Sequence, residues 1–165
     1  MTGRVLVAYG STNGSTARIA ETVAGVLREA GLAAEARPAG SVPGVTPYDA
    51  VVVGGALYAG RWQKDARRFV RRHRRELAGR PVWFFSSGPL DPSASERDIP
   101  PEAGVRRAMN RVDARDHITF GGCLEEGAKG RIARMILSGG KGGDFRDFPA
   151  IETWAAGVAA ELTAR

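Results

Sequence analysis

The chain has 165 residues, 43% apolar and 25% charged, which suits one globular domain and excludes a disordered or fibrous chain. Its formal charge is +6, yet residues 61–80 alone carry +7, so the basicity is one patch and not a property of the whole surface. A lone cysteine, Cys123, excludes an internal disulfide framework or a cysteine zinc cluster; with no membrane-length apolar run and no secretory start, the expectation is a cytoplasmic protein.

Strand-length apolar runs alternate with segments of helical period. Val5–Tyr9 reads as a first strand and Ser15–Ala30 as a first helix, with Ile19, Ala20, Val23 and Leu27 on one stripe and Gly31 as the stop. Ala33–Arg37 is a second strand, and the connection Pro38–Pro47 is rich in Pro, Gly and Ser. Ala50–Val53 is a third, unbroken in its apolar character as a strand buried on both faces should be. A glycine-rich loop, Gly54–Trp62, follows. The next helix, about Gln63–Leu77, sets Ala66, Phe69, Val70, His73 and Leu77 on one stripe and its arginines on the other face. Val82–Phe85 is a fourth strand, Pro89–Pro101 a loop, Glu102–Arg111 a short helix and His117–Phe120 a fifth strand. Arg131–Leu137 reads as another short helix, Gly139–Gly143 as a turn, and the last helix starts near Ile151, repeating Trp154, Ala155, Val158 and Leu162.

This alternation predicts an α/β fold, a doubly wound sheet of five parallel strands in the order 2-1-3-4-5 with helices on both faces. In such a sheet the ligand lies beyond the carboxyl ends of the strands, at the switch between the first and third. The loops flanking that switch are Gly10–Thr16 and Gly54–Trp62.

Ser11, Thr12, Asn13, Gly14, Ser15 and Thr16 run straight from a strand into a helix, offering hydroxyls, an amide and consecutive backbone N–H groups at the positive end of the helix dipole. Neither the GxxxxGK[ST] loop of a nucleotide triphosphatase nor the GxGxxG spacing of a dinucleotide site is present, and the loop holds no cation. A terminal phosphomonoester fits best, since several neutral donors can surround all its oxygens. In the second loop, Gly54, Gly55, Ala56, Leu57, Ala59 and Gly60 let backbone approach a flat ligand, while Tyr58 and Trp62 can stack on it; for Trp62, packing at the start of the next helix is an almost equal alternative. A third loop, Ser86, Ser87, Gly88, Pro89 and Leu90, gains interest from its place at a strand end.

The run Val7–Val23 resembles the phosphate loop and first helix of the flavodoxin family, with Tyr9, Ser11, Gly14, Thr16, Ala20 and Val23 at the family's spacing and Ala8 where a larger apolar residue is usual. The resemblance implies FMN as cofactor, Ser11 to Thr16 around its phosphate, and the loops after the third and fourth strands on the two sides of its ring. A narrower resemblance, to the menaquinone-dependent protoporphyrinogen oxidase branch of that fold, rests on Gly54, Gly60, Phe69, Val70, His73, Leu77, Pro81, Ser138, Gly139, Gly140 and Trp154. It implies electron transfer between a planar substrate, a porphyrinogen or quinone, and an acceptor. That branch carries a longer segment of aromatic and basic residues after the fifth strand, where this chain has only Gly121–Leu137 without an aromatic. The alternative is a small electron carrier serving a redox partner protein. Carriers of this fold are typically acidic, so the basic patch predicts a less negative flavin potential than theirs.

The arginines of Arg67–Arg75 are not interleaved with outward aromatics, Phe69 turning inward, so no nucleic-acid partner is expected. Peripheral contact with an anionic membrane surface is the stronger expectation of the two, from that arginine face and from Ile132, Met135, Ile136 and Leu137 beside Arg131 and Arg134, with a merely solvated arginine face and a short helix packed on the sheet as equal alternatives. His73 lies on the apolar stripe of its helix and His117 opens a strand without a sequence partner, so neither supports a metal site; a flavin takes up electrons by itself, so no catalytic acid or base is assigned.

Overall fold

The computed structural model describes residues 3–11, 14–124 and 143–164. Five parallel strands form the sheet: β1 (Arg4–Gly10), β2 (Ala33–Pro38), β3 (Ala50–Tyr58), β5 (Val82–Ser87) and β6 (Asp116–Phe120), in the spatial order β2-β1-β3-β5-β6. Counting the parallel strands alone, this is the expected 2-1-3-4-5. A short strand, β4 (Arg61–Trp62), folds back antiparallel on the end of β3, and a separate two-stranded ladder joins β7 (Cys123–Leu124) to β8 (Gly143–Asp144).

Helices cover both faces because alternate residues of each strand carry apolar side chains both ways. Val5 and Val7 of β1, Val52 of β3, and Trp83 and Phe85 of β5 pack with α1 (Ser15–Glu29) and α6 (Phe148–Thr163). Leu6, Val51, Val53 and Phe84 point the other way, onto α2 (Lys64–Arg72), α3 (Arg74–Ala78) and α5 (Ala103–Val112). Burial of such side chains at about 25 cal/mol per Å² is the main force holding the layers together.

Several boundaries differ from expectation. The single helix Gln63–Leu77 is two, broken at His73, whose imidazole packs on Phe69 at 4.9 Å and whose backbone relaxes to φ −107°, ψ 21°. The last helix begins three residues before Ile151, at Phe148, where the Asp147 carboxylate caps it by accepting from the Ala150 N–H at 3.1 Å. A one-turn helix, α4 (Ser93–Glu96), and a 3₁₀ turn, Ala39–Ser41, lie inside the two segments read as plain loops. The expected helix Arg131–Leu137, its apolar residues and most of the Gly139–Gly143 turn fall outside the described residues.

The largest difference concerns Gly54–Trp62. It is not a loop: β3 runs on to Tyr58, and only Ala59 and Gly60 turn, with φ 52° and 75°. Two successive positive φ values are the signature of a tight type I′ hairpin turn, here connecting β3 to β4. Gly54 sits between Tyr9 of β1 and Phe85 of β5 in the register, and a Cβ there would fall inside the Phe85 ring. A Cβ on Gly55 would lie 2.6 Å from the Trp62 indole. These glycines are small because the core needs the space.

Candidate functional site: a phosphate loop and a neighbouring cleft

The β1 to α1 connection lies at the carboxyl end of the central strand, next to β3 across the switch. Gly14 takes φ 81°, a conformation that glycine adopts freely, and its N–H donates to Ser11 Oγ at 2.9 Å. Among the described residues no side chain caps α1, and no acidic residue stands in its first turn. By helix geometry the amides of Ser15 and Thr16 have no carbonyl partner within the helix. Thr16 is fully buried, and its hydroxyl has no hydrogen-bond partner among the described residues. A buried hydroxyl left so costs about 1–3 kcal/mol unless something supplies the bond. Thr12 and Asn13 lie outside the described residues.

One cation does approach, from far along the chain. Arg146 is held by the Asp144 carboxylate, with Nη2 to Oδ2 at 2.7 Å and Nε to Oδ1 at 2.9 Å, and its Nη1 donates to the Ser15 carbonyl at 3.4 Å. The same guanidinium lies 5.3 Å from the Phe148 ring centroid. Hydrogen bonding to Arg146 is the main reason the Asp144 carboxyl is pulled down to about 2. The absence of a cation within the loop is a fact of its sequence; its surroundings contain one.

A cleft of about 410 Å³ opens beside the hairpin. Leu57, Ala59 and Gly60 line one side, Gly88, Pro89 and Leu90 the other, with Ile99 and Pro100 at one end. The two sides are in contact at their base, since a Cβ on Gly88 would lie 2.9 Å from Leu57 Cδ1. The strand ends are tied by Gly88 N–H to Phe120 O at 3.1 Å and Gly122 N–H to Pro89 O at 2.9 Å. Tyr58, half-buried, closes β3 just before the turn.

Seven expected site residues do not line this cleft, Tyr58 among them. Gly54, Gly55 and Ala56 are buried in β3, and Ser87 is buried in β5. Trp62, expected to stack on a ligand or pack at the helix start, does the latter: it is 3% exposed and lies 4.8 Å from the Phe84 ring. Its Nε1 donates to Ser86 Oγ at 2.8 Å, and Ser86 Oγ in turn bonds His117 Nε2 at 2.9 Å. Burial holds the His117 pKa down at about 4, so the imidazole in this chain of three is neutral near pH 7. Nothing in the sequence linked positions 62, 86 and 117, because three different elements bring them together.

The family model described as flavodoxin domain matches residues 6–133. The chain belongs to the flavodoxin domain family. No curated protein matches it. Among solved structures, a cysteine-to-serine variant of the Pseudomonas aeruginosa flavodoxin has a TM-score of 0.66 at 19% identity, covering 98% of this chain and 99% of that one. Oxidised flavodoxin 1 of Bacillus cereus gives 0.62 at 15% identity, covering 98% and 99%. Rubredoxin oxygen oxidoreductase of Desulfovibrio gigas gives 0.66 at 13% identity; there the match covers 99% of this chain but 37% of the larger protein. At these identities the structures establish the fold.

The cofactor of the flavodoxin domain family is FMN, and the residues here fit its phosphate end. An uncapped helix start, a buried hydroxyl without a partner and a first turn free of carboxylates are what a phosphate dianion requires. The chain has the fold of an electron-transfer flavoprotein.

Proposed function

We propose that this flavodoxin domain binds FMN with its phosphate on Ser11, Thr12, Asn13, Gly14, Ser15 and Thr16 and its ring in the cleft between Leu57–Gly60 and Gly88–Leu90. The single observation that carries this reading is the buried Thr16 hydroxyl, without a partner among the described residues, at a helix N-terminus that none of them caps. When bound, FMN supplies reversible one- or two-electron transfer, and the protein supplies position and electrostatics. The chain's own contribution is then clear in each part. The loop amides and hydroxyls hold the phosphate; the apolar Leu57, Pro89 and Leu90 exclude water from one edge of the cleft; the hairpin tip at Ala59 and Gly60 stays exposed, where a reaction partner can approach.

The finer reading is an oxidoreductase that passes electrons between a planar organic substrate, of porphyrinogen or quinone type, and an acceptor. It is supported by the resemblance over residues 51–81 and by the cleft, whose apolar Leu57, Pro89, Leu90 and Ile99 stand beside the polar Asp91, Glu102 and Thr119. The second reading, a carrier serving a redox partner protein, is favoured by the exposed hairpin tip, which suits docking as well as substrate entry. We place the protein in the cytoplasm, and the exposed arginines of α2 and α3 would allow peripheral contact with anionic lipid; no helix among the described residues is long and apolar enough to cross a membrane.

The protein should purify yellow. After photoreduction, multiple turnovers with quinones or porphyrinogens establish the enzyme, whereas reoxidation by a protein partner alone, with none of these turned over, establishes the carrier. A colourless protein that does not take up added FMN overturns both.

A further inference from the structure

A second cavity, of about 590 Å³, opens on the other side of the hairpin from the ring cleft, between α2 and α5. Its size is that of an ordinary small-molecule site. Arg61, Arg67, Arg71, Arg107 and Arg111 line it, and Glu102 is its sole carboxylate. Arg67 and Arg71 stand one turn apart on α2, as do Arg107 and Arg111 on α5, so each helix presents a like-charged pair that by itself costs a few tenths of a kcal/mol. Among the described residues none of the five is ion-paired. Only Arg67 is anchored, its Nε donating to the Trp62 carbonyl at 3.0 Å. Val70, Val105 and Ala108 supply apolar wall between the guanidinium groups. The amino end of α5 opens into the same space; its N-cap residue is Glu102, whose side chain makes no capping bond, and its first turn has no acidic residue.

From this arrangement we infer that the α2–α5 groove binds a small organic polyanion carrying at least two carboxylate or phosphate groups. Guanidinium forks pair with either group in two parallel hydrogen bonds. Facing pairs of cations on two helices need a ligand with two or more anionic ends to neutralise both, and a cleft lined by one sign of charge concentrates such ligands. The apolar wall accommodates the carbon frame between the charges. A flat acidic protein surface would meet the exposed arginines of α3 equally well and has no use for an enclosed volume, so the small ligand is favoured over a protein. None of the five arginines belongs to the phosphate loop or lines the ring cleft, although the two cavities share Ala59, Gly60 and Glu102.

The test uses protein saturated with FMN, so that the phosphate loop is filled, at constant ionic strength set with potassium chloride. Citrate and inorganic pyrophosphate are titrated separately by calorimetry, the two arms telling carboxylate from phosphate recognition. The expected result is saturable binding of at least one of them at one site per chain. Arg71→Gln with Arg107→Gln and Arg111→Gln should weaken it at least about tenfold, and Arg107→Gln alone by less, with FMN retention unchanged as the check on folding. Arg74→Gln with Arg75→Gln on α3, outside the groove, should leave the affinity as it was. No saturable heat with either probe overturns the inference, as does equal weakening by the α3 pair, which would mean bulk charge. Binding of polyglutamate while citrate and pyrophosphate fail would also overturn it, in favour of an acidic protein partner.

Discussion

The two glycine-rich segments that flank the topological switch look alike on paper and do opposite things. In residues 10–16, Gly10 makes room against Gln63 and Ala66, but Gly14 frees the backbone at the mouth of the fold: a Cβ there would meet nothing within 4 Å, and the constraint is its φ of 81°. In residues 54–62, glycine makes room inside it, since Gly54 and Gly55 lie where the Phe85 and Trp62 rings need the space. The first segment therefore sacrifices stability for binding, leaving the Thr16 hydroxyl unpartnered. The second contributes stability and leaves only its tip, Ala59 and Gly60, to the cleft. Glycine enrichment announces a close approach without saying whether the visitor is a ligand or the protein's own core.

Substitutions can separate the two roles. The largest effect expected is on cofactor affinity: Ser11→Ala with Thr16→Val should cost about 3–4 kcal/mol in FMN binding, two lost hydrogen bonds to a charged group. In the ligand-free fold Thr16→Val alone should keep the melting temperature or raise it slightly, because a buried hydroxyl without a partner among the described residues is removed, whereas Ser11→Ala gives up the bond from the Gly14 N–H. Gly54→Ala should do the reverse, destabilising the fold by about 3 kcal/mol through overpacking against Phe85, measured by urea unfolding.

Acid should act on the core segment too. The folded His117 titrates near 4, well below an unfolded histidine near 6.5, so between those values the unfolded chain binds the extra proton. Stability is then fully present above about pH 6.5 and falls as the pH drops toward 4, by at most on the order of 3 kcal/mol. Burial also lowers the His73 pKa, which adds slope of the same sign. His117→Asn should flatten this profile in a series of melts from pH 4 to 7. Trp62→Phe removes the bond to Ser86 and should cost about 1–2 kcal/mol of stability while leaving FMN affinity nearly unchanged, which a stacking role would not allow. The smallest effect belongs to the hairpin tip, where Ala59→Gly relieves a left-handed alanine and should stabilise by about 1 kcal/mol.

The sheet order and the junction of β1 with α1 were legible because both depend on local chemistry: unbroken apolar runs at Val51–Val53 and Val82–Phe85, and a polar stretch with a glycine where a strand passes into a helix. The extent of β3 was not, since Gly54 and Gly55 read as turn residues and only the packed rings of Phe85 and Trp62 explain them. Long-range pairs were invisible for the same reason. Ser86 and His117 meet across adjacent strands, and Arg146 reaches Ser15 from the far end of the chain. The arginine pairs were visible on α2, but their counterparts on α5 became opposing only once the helices were packed.

The central claim is that the loop at the start of α1 grips a phosphate, and the most direct measurement compares FMN with riboflavin, which lacks it. FMN should bind at least about 100-fold more tightly, as two or more hydrogen bonds to a dianion imply, and Ser11→Ala with Thr16→Val should bring the two affinities close together. Equal affinities in the unaltered protein would contradict the claim.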